Sequence, residues 1–301
     1  MTAGRDMSDY DTPFQDMAVI SWLEAAGIDA TLPSPDRVYD AYLGGSHNTA
    51  VDRAFVEKVE QILPSIKPLA RSNRSFLRRA VSFAASKGIT QFIDIGSGAP
   101  TVGNVHEIAL KANPAAHIVY VDSNTIAVQS SAIRLEEQKV TDRVAMIQED
   151  LRNPDGILNH PRTLELIDFS KPVCLLMVAL LHFVGDEDKP GELISYYRSK
   201  LAPGSLLALS HICSDEAPQD QKDQVAAFVK AYENTTTRLY TRTKAEMEKL
   251  FDGWVMEEPG VVHPPDWRPD NPIDSDMSAY YLGWCGVGRK AKGVSDPSDT
   301  P

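Results

Sequence analysis

Asp94, Ile95, Gly96, Ser97 and Gly98 follow directly on the apolar run that begins at Phe92. An acid two residues ahead of a spaced glycine pair, after a short β-branched run, describes a strand that turns sharply into a helix. Glycine there leaves room for a ligand to lie against bare backbone amides. A pyrophosphate loop of the form G-x-G-x-x-G needs its third glycine at position 101, where this chain has Thr101 after Pro100. Hydride transfer with a nicotinamide dinucleotide is therefore disfavoured. Two further acids close the next two strand-like runs. Asp122 ends "HIVYVD", where a carboxylate can accept both hydroxyls of a ribose, with Ser123 just behind it. Asp150 ends "VAMIQED", in place to accept from an adenine amino group, and Leu151 offers an amide or an apolar wall. Each acid is also a natural cap for the helix that follows. Polar groups at three successive strand ends together describe a nucleoside slot.

The acid before the first glycine is the motif of S-adenosylmethionine-dependent methyltransferases. A sulfonium nucleoside carries an amino acid where a dinucleotide carries phosphates, so an acidic loop suits it. Methyl transfer is an in-line displacement at a carbon already activated, and alignment with desolvation supplies much of the rate. A hydroxyl acceptor gains from a nearby base. "ALLHFV" puts Ala179 and His182 at the end of the fourth strand, Ala179 beside the cofactor and His182 as the candidate base. His211, ending the fifth strand, is the second candidate; His106 lies just inside the first helix, at the site or just behind it, and His47 sits in the "GGSHN" loop, placed to close over the slot. Arg74 or Asn73 can meet the methionine carboxylate, since a guanidinium pairs well with a planar carboxylate. For its neighbours Arg71, Arg78 and Arg79 a solvated helix face is the plainer reading. Tyr39 and Tyr42 either wall an acceptor pocket or belong to the core, and Trp267 sits in a proline-stiffened loop.

The elements that must carry these residues fall into two regions. Residues 17–88 read as helices, among them "SPDRVYDAYLGG", "TAVDRAFVEKVEQIL" with a capping-box pair Thr49 and Asp52, and "SNRSFLRRAVSFAASKG". Residues 89–290 alternate short apolar runs with helical stretches. Their strand candidates are "QFIDIG", "HIVYVD", "VAMIQED", "VCLLMVAL", "SLLALSHI", "WVMEEPGVV" and "SAYYLGWCGVGR". Continuous apolar runs with helical connections predict parallel strands covered on both faces, a doubly wound α/β sheet. The last two runs have no helix between them and predict an antiparallel pair at one edge. Residues 1–16 and 291–301 read as disordered arms.

At 301 residues and 43% hydrophobic, the chain can bury a large core. Its longest apolar runs are too short to span a bilayer, and the N-terminus lacks a charged region followed by an apolar one. Three widely spaced cysteines, never in a CxxC pair, argue against a disulfide framework or zinc site and suit a reducing cytoplasm. A net charge of −12 opposes a nucleic-acid partner. The fourth strand also lacks the Asn/Asp-Pro-Pro-Tyr/Phe tetrapeptide typical of base methylation.

With these residues in view, the chain resembles an actinobacterial S-adenosylmethionine-dependent methyltransferase family long catalogued as a domain of unknown function. "DRVYDAYLGGSHN", "SNRSFLRRAV", "FIDIGSGAPTVGNVHE", "EDLRNP", "LLMVALLHFV" and "LAPGSLLALSH" carry the resemblance, from about Ser34 to Arg289. Ser46 and His47 stand where the family has a Lys-Asp pair. The resemblance implies the class I methyltransferase (Rossmann-like) fold, strand order 3-2-1-4-5-7-6, and S-adenosylmethionine as cofactor. The expectation is a cytoplasmic enzyme that methylates a small molecule, at oxygen rather than nitrogen. The alternatives are a regulatory module that binds the nucleoside without turnover and a nicotinamide-dependent oxidoreductase.

Overall fold

The computed structural model describes residues 31–45, 48–98, 104–233, 235–270 and 277–291. Residues 1–16 and 292–301 of the proposed arms, residues 17–30 of the expected helical region, His47 and Thr101 lie outside them. Seven strands form one sheet: β1 (Gln91–Ile95), β2 (His117–Asp122), β3 (Val144–Gln148), β4 (Cys174–Val178), β5 (Leu206–Ile212), β6 (Val255–Met256) and β7 (Gly283–Arg289). Their order is β3-β2-β1-β4-β5-β7-β6. The first five pair in parallel, and β7 runs antiparallel to both β5 and β6. Connections alternate across the sheet, so the order reverses between β1 and β4. A crevice opens there at the strands' carboxyl ends.

Period-two alternation sorts the strand residues onto two buried faces. Ile93, Ile95, Val119, Leu175 and Leu207 share one cluster with Tyr197, Trp254 and Trp284. Phe92, Ile118, Leu176 and Ala208 share the other with Phe76, Leu77 and Trp267. Trp267 is thus core, its ring meeting Phe76 and Phe83 edge-on at 5.3 and 5.7 Å. A third cluster packs α1 (Pro35–Tyr42), α2 (Ala50–Ile62) and α3 (Ile66–Ser86) against a further helix, Gln219–Tyr232, through Val38, Phe55, Val59 and Phe228. The capping box at Thr49 and Asp52 forms, and Asp52 also takes the buried Arg37 Nε at 2.7 Å, joining α1 to α2.

Helix α3 begins at Ile66, earlier than the periodic run suggests, because Pro68 falls in its first turn, where no intrahelical N–H is needed. Its arginines divide. Arg79 is buried, donating to the carbonyls of Trp267 and Pro264 at 2.8 and 2.6 Å; Arg78 pairs with Asp270 at the surface. Among the described residues no helix is long and apolar enough to cross a membrane.

Candidate active site at the carboxyl ends of the strands

The turn after β1 answers why two glycines are needed. Gly96 and Gly98 have φ of +71° and +66°, a region that L side chains rarely adopt. A Cβ on Gly96 would also lie 2.4 Å from Cδ1 of Leu180, so the protein's own side chain closes on this glycine. The amides are not bare. Gly96 and Ser97 donate to the Val121 carbonyl at 2.8 and 3.2 Å, and Gly98 donates to Oδ2 of Asp122 at 2.8 Å. The turn is stitched to β2, which corrects the expectation of open N–H groups at these positions.

Asp122 receives a second amide, that of Asn124, on Oδ1 at 2.9 Å. Asn124 caps the following helix (Thr125–Glu137), its side chain accepting from Ile126. Asp122 is thereby left to face the crevice. Burial lifts its carboxyl to about 6 against those amide bonds. Asp94, 7% exposed, stands at about 7. Burial is the main cause, the Arg74 charge works against it and Asp122 adds to it. Asp36, from α1, accepts from the Ser34 hydroxyl and from Asn124 Nδ2. Burial raises its pKa too, and its Oδ2 is buried without a partner. After β3, Asn153 caps the next helix (Pro154–Leu158), and Asp150 pairs with Arg152 at 3.1 Å. The Leu151 carbonyl accepts from the Tyr197 hydroxyl at 2.9 Å.

Past β4 the backbone takes φ of +55° at Ala179, whose amide donates to Ser210 Oγ at 2.9 Å. Ser210 donates in turn to Asn73 Oδ1, and Asn73 Nδ2 donates to the Tyr39 hydroxyl at 2.9 Å. One polar chain thus joins β4, β5, α3 and α1. His211 has both ring nitrogens engaged: Nδ1 donates to the Ile212 carbonyl at 2.8 Å, and Nε2 accepts from Arg242 at 2.8 Å. Burial, reinforced by Arg242, lowers its pKa to about 4. With no lone pair to spare, His211 does not suit the role of a base.

His182 packs edge-on to His211 with ring centroids 5.7 Å apart. Its Nδ1 is buried without a partner, so of its two nitrogens Nε2 is the one that can meet a guest. Burial first, then His211 and Arg242, hold the ring neutral well below the ordinary histidine range. His106 is turned away from this centre. It sits between the Tyr120 hydroxyl and Gln138 Oε1, each at 2.8 Å.

Twelve of the residues singled out from the sequence line one cavity of about 310 Å³: Arg74, Asp94, Gly96, Ser97, Gly98, Asp122, Ser123, Asp150, Leu151, Ala179, His182 and His211. Six acids (Asp36, Asp40, Asp94, Asp122, Glu149 and Asp150) share its wall with two arginines, Arg74 and Arg152. That wall fits a cationic guest and repels a pyrophosphate. Sequence reasoning missed Asp36 as a wall residue and Arg242 as the clamp behind His211. Both act across gaps that no local pattern reveals.

The chain matches the S-adenosyl methyltransferase family model over residues 22–291. It belongs to that family. A Thermobifida fusca protein whose assignment as a methyltransferase is itself provisional is 37% identical; the match covers 88% of this chain and 97% of that one, with a TM-score of 0.80. A DUF574 family protein from Streptomyces avermitilis is 30% identical over 87% and 99% of the two chains, at 0.78. An O-methyltransferase family protein from Burkholderia thailandensis shares the fold at 12% identity and a TM-score of 0.50, over 94% and 71%. No protein of curated function matches the chain. The protein is an S-adenosylmethionine-dependent methyltransferase, and its cavity suits that cofactor. Buried carboxylates held partly protonated face a space into which a sulfonium and an ammonium would bring positive charge. The partnerless Oδ2 of Asp36 adds an acceptor for a hydroxyl donor.

Proposed function

We propose that this methyltransferase acts on a hydroxyl oxygen of a small molecule, with His182 as the proton acceptor. The observation that supports the reading best is the state of His182. It is a neutral imidazole on the cavity wall, with one nitrogen sealed off and the other left for a guest. A hydroxyl must lose its proton as the new bond to carbon forms, and a ring that stays unprotonated through the physiological range can take it.

Bound S-adenosylmethionine supplies an electrophilic methyl group. The chain's part is to orient and to move a proton. Asp122, with Ser123 beside it, accepts from the ribose hydroxyls. The Gly96–Gly98 turn sets the height of the slot, and Asp150 with Leu151 borders the base. Arg74 meets the carboxylate, Asp94 the ammonium, and Ala179 walls the end nearest the reacting carbon. His211 serves as a positioning residue rather than as a base, holding the edge against which His182 packs. Of the expected 17–88 extension, helices α1, α2 and α3 act as a cover on the 89–290 catalytic unit, residues 17–30 lying outside the described residues, and the enzyme works without a nucleic-acid partner. The acidic cavity wall and the net charge of −12 support that last point.

Titration calorimetry tests the cofactor set, and transfer of a labelled methyl group tests the chemistry. Binding of S-adenosylhomocysteine without binding of NAD is expected. His182→Ala is expected to lose turnover while keeping cofactor affinity. A variant with full turnover removes His182 from the mechanism.

A further inference from the structure

The cavity is electrostatically divided. Among the described residues, every carboxylate and guanidinium on its wall belongs to residues 36–152, and from Val178 onward none of the wall residues carries a charged side chain. The topology turns most of this ordering into a spatial one, with Asp94, in register with Leu176 of β4, and Arg74, next to the Asn73 that meets Ser210 of β5, at the boundary. Asp122 and the Glu149–Arg152 stretch lie at the tips of β2 and β3, and Asp36 is tied to Asn124 beside them. The uncharged wall lies at the tips of β4 and β5 and on the helix Gln219–Tyr232. Asp40, on α1, is 1% exposed and takes Nδ2 of Asn48 at 2.8 Å. Behind the uncharged wall, Arg242 is occupied by the carbonyls of Leu181 and Val184, by His211 and by Asp186.

That end is built from rings. Tyr232 meets Phe228 at 4.9 Å and Phe183 at 6.0 Å between centroids, and Phe183 lies 4.4 Å from His182. Ile212 and Leu239 complete the apolar surface, and Thr236 and Thr237 stand on the same wall. The buried hydroxyls of Tyr42 and Tyr232 face each other at this end. Burying an anion there without a cation, or a cation without a carboxylate, would leave its desolvation uncompensated. A flat neutral guest costs little and gains ring-edge contacts. His182 is the polar handle left for it.

Resting on the reading of His182 as the base, we infer that the β4–β5 end of the cavity is an acceptor subsite for an uncharged aromatic hydroxyl compound, a phenol on a neutral ring. It discriminates against carboxylated, phosphorylated and cationic acceptors.

The test uses the full chain saturated with S-adenosylhomocysteine, whose binding is measured first by calorimetry. Two matched sets of probes are then titrated by ligand-observed NMR: phenol, benzoate and benzylammonium, and 2-naphthol, 2-naphthoate and 2-naphthylmethylammonium. The expected result is at least tenfold tighter binding of the neutral member in one or both sets. Thr237→Lys puts a cation on the uncharged wall at a half-buried loop position, and it should shift preference at least tenfold toward the carboxylate while leaving cofactor affinity as it was. An anion or ammonium bound as tightly as its phenol overturns the proposal. So does the absence of binding by any probe to the saturated protein, or an unchanged preference in Thr237→Lys. Failure of S-adenosylhomocysteine itself to bind overturns the cofactor assignment first, and is distinguished by the calorimetry.

Discussion

Replacing Asp94 by Asn removes a buried carboxyl that the fold holds at about 7 rather than 3.8. A shift of roughly 3 units, at about 1.36 kcal/mol per unit, corresponds to roughly 4 kcal/mol of preference for the protonated form in the folded protein. A folded pKa above the unfolded one means the native chain holds the proton longer. The contribution is full below the unfolded value and is lost as pH rises through about 7. Without ligand, the wild type should therefore weaken between pH 4 and 8, and Asp94→Asn should lack most of that slope. Water in the cavity makes roughly 4 kcal/mol an upper bound. Even half would be visible against a total stability of about 5–15 kcal/mol. Asp122, at about 6, leaves a smaller slope in the variant at lower pH. The cationic cofactor reverses the preference, since its binding draws the carboxylate into its charged form. Wild-type binding near pH 6 should release protons, visible by calorimetry in buffers of different ionisation enthalpy. The variant should release fewer and bind the cofactor about 1.5–3 kcal/mol more weakly. Urea unfolding of both proteins at pH 5 and 8 decides the matter. Equal differences in stability at the two pH values would refute the reasoning.

Asp122→Ala should weaken cofactor binding by ~1.5–3 kcal/mol and free the Gly98 amide, and an unchanged dissociation constant would remove it from the site. His182→Ala should lower kcat by ~10²–10⁴-fold with cofactor affinity intact. In the wild type the acid limb of kcat/KM should fall well below pH 6.5, because burial and its cationic neighbour depress the His182 pKa. Arg242→Gln should move that limb upward and Arg242→Lys should largely preserve it, as a pH-rate series would show. Gly96→Ala should destabilise the fold by roughly 1–3 kcal/mol in thermal unfolding, since the new methyl meets Leu180 and the backbone is left-handed.

Much of the architecture was legible in the chain because strands and turns write themselves locally. All seven strand candidates became strands, although "WVMEEPGVV" shrank to Val255–Met256 and β7 starts only at Gly283, after a 3-10 turn over Met277–Leu282. The helices Gln219–Tyr232 and Lys244–Lys249 had no counterpart in the reading, because their apolar faces are short and interrupted. Asp94, Asp122 and Asp150 could be placed at strand ends, since a carboxylate after a period-two run has few other positions. Whether they capped helices was open until Asn124 and Asn153 proved to do the capping.

The sequence by itself determined the alternation of strands and helices, the glycine turn and the order of acids along the crevice, because each depends on residues close in the chain. Only the tertiary structure decided how those groups are used. It spent the amides of Gly96, Ser97 and Gly98 on β2, and it fixed His211 between Ile212 and Arg242 while leaving one nitrogen of His182 available. It also gathered a ring-lined wall at the tips of β4 and β5. Hydrogen-bond partners and desolvation are set by atoms far apart in the chain, 137 positions for Ser210 and Asn73 and 188 for Arg79 and Trp267, and no local pattern encodes such a meeting.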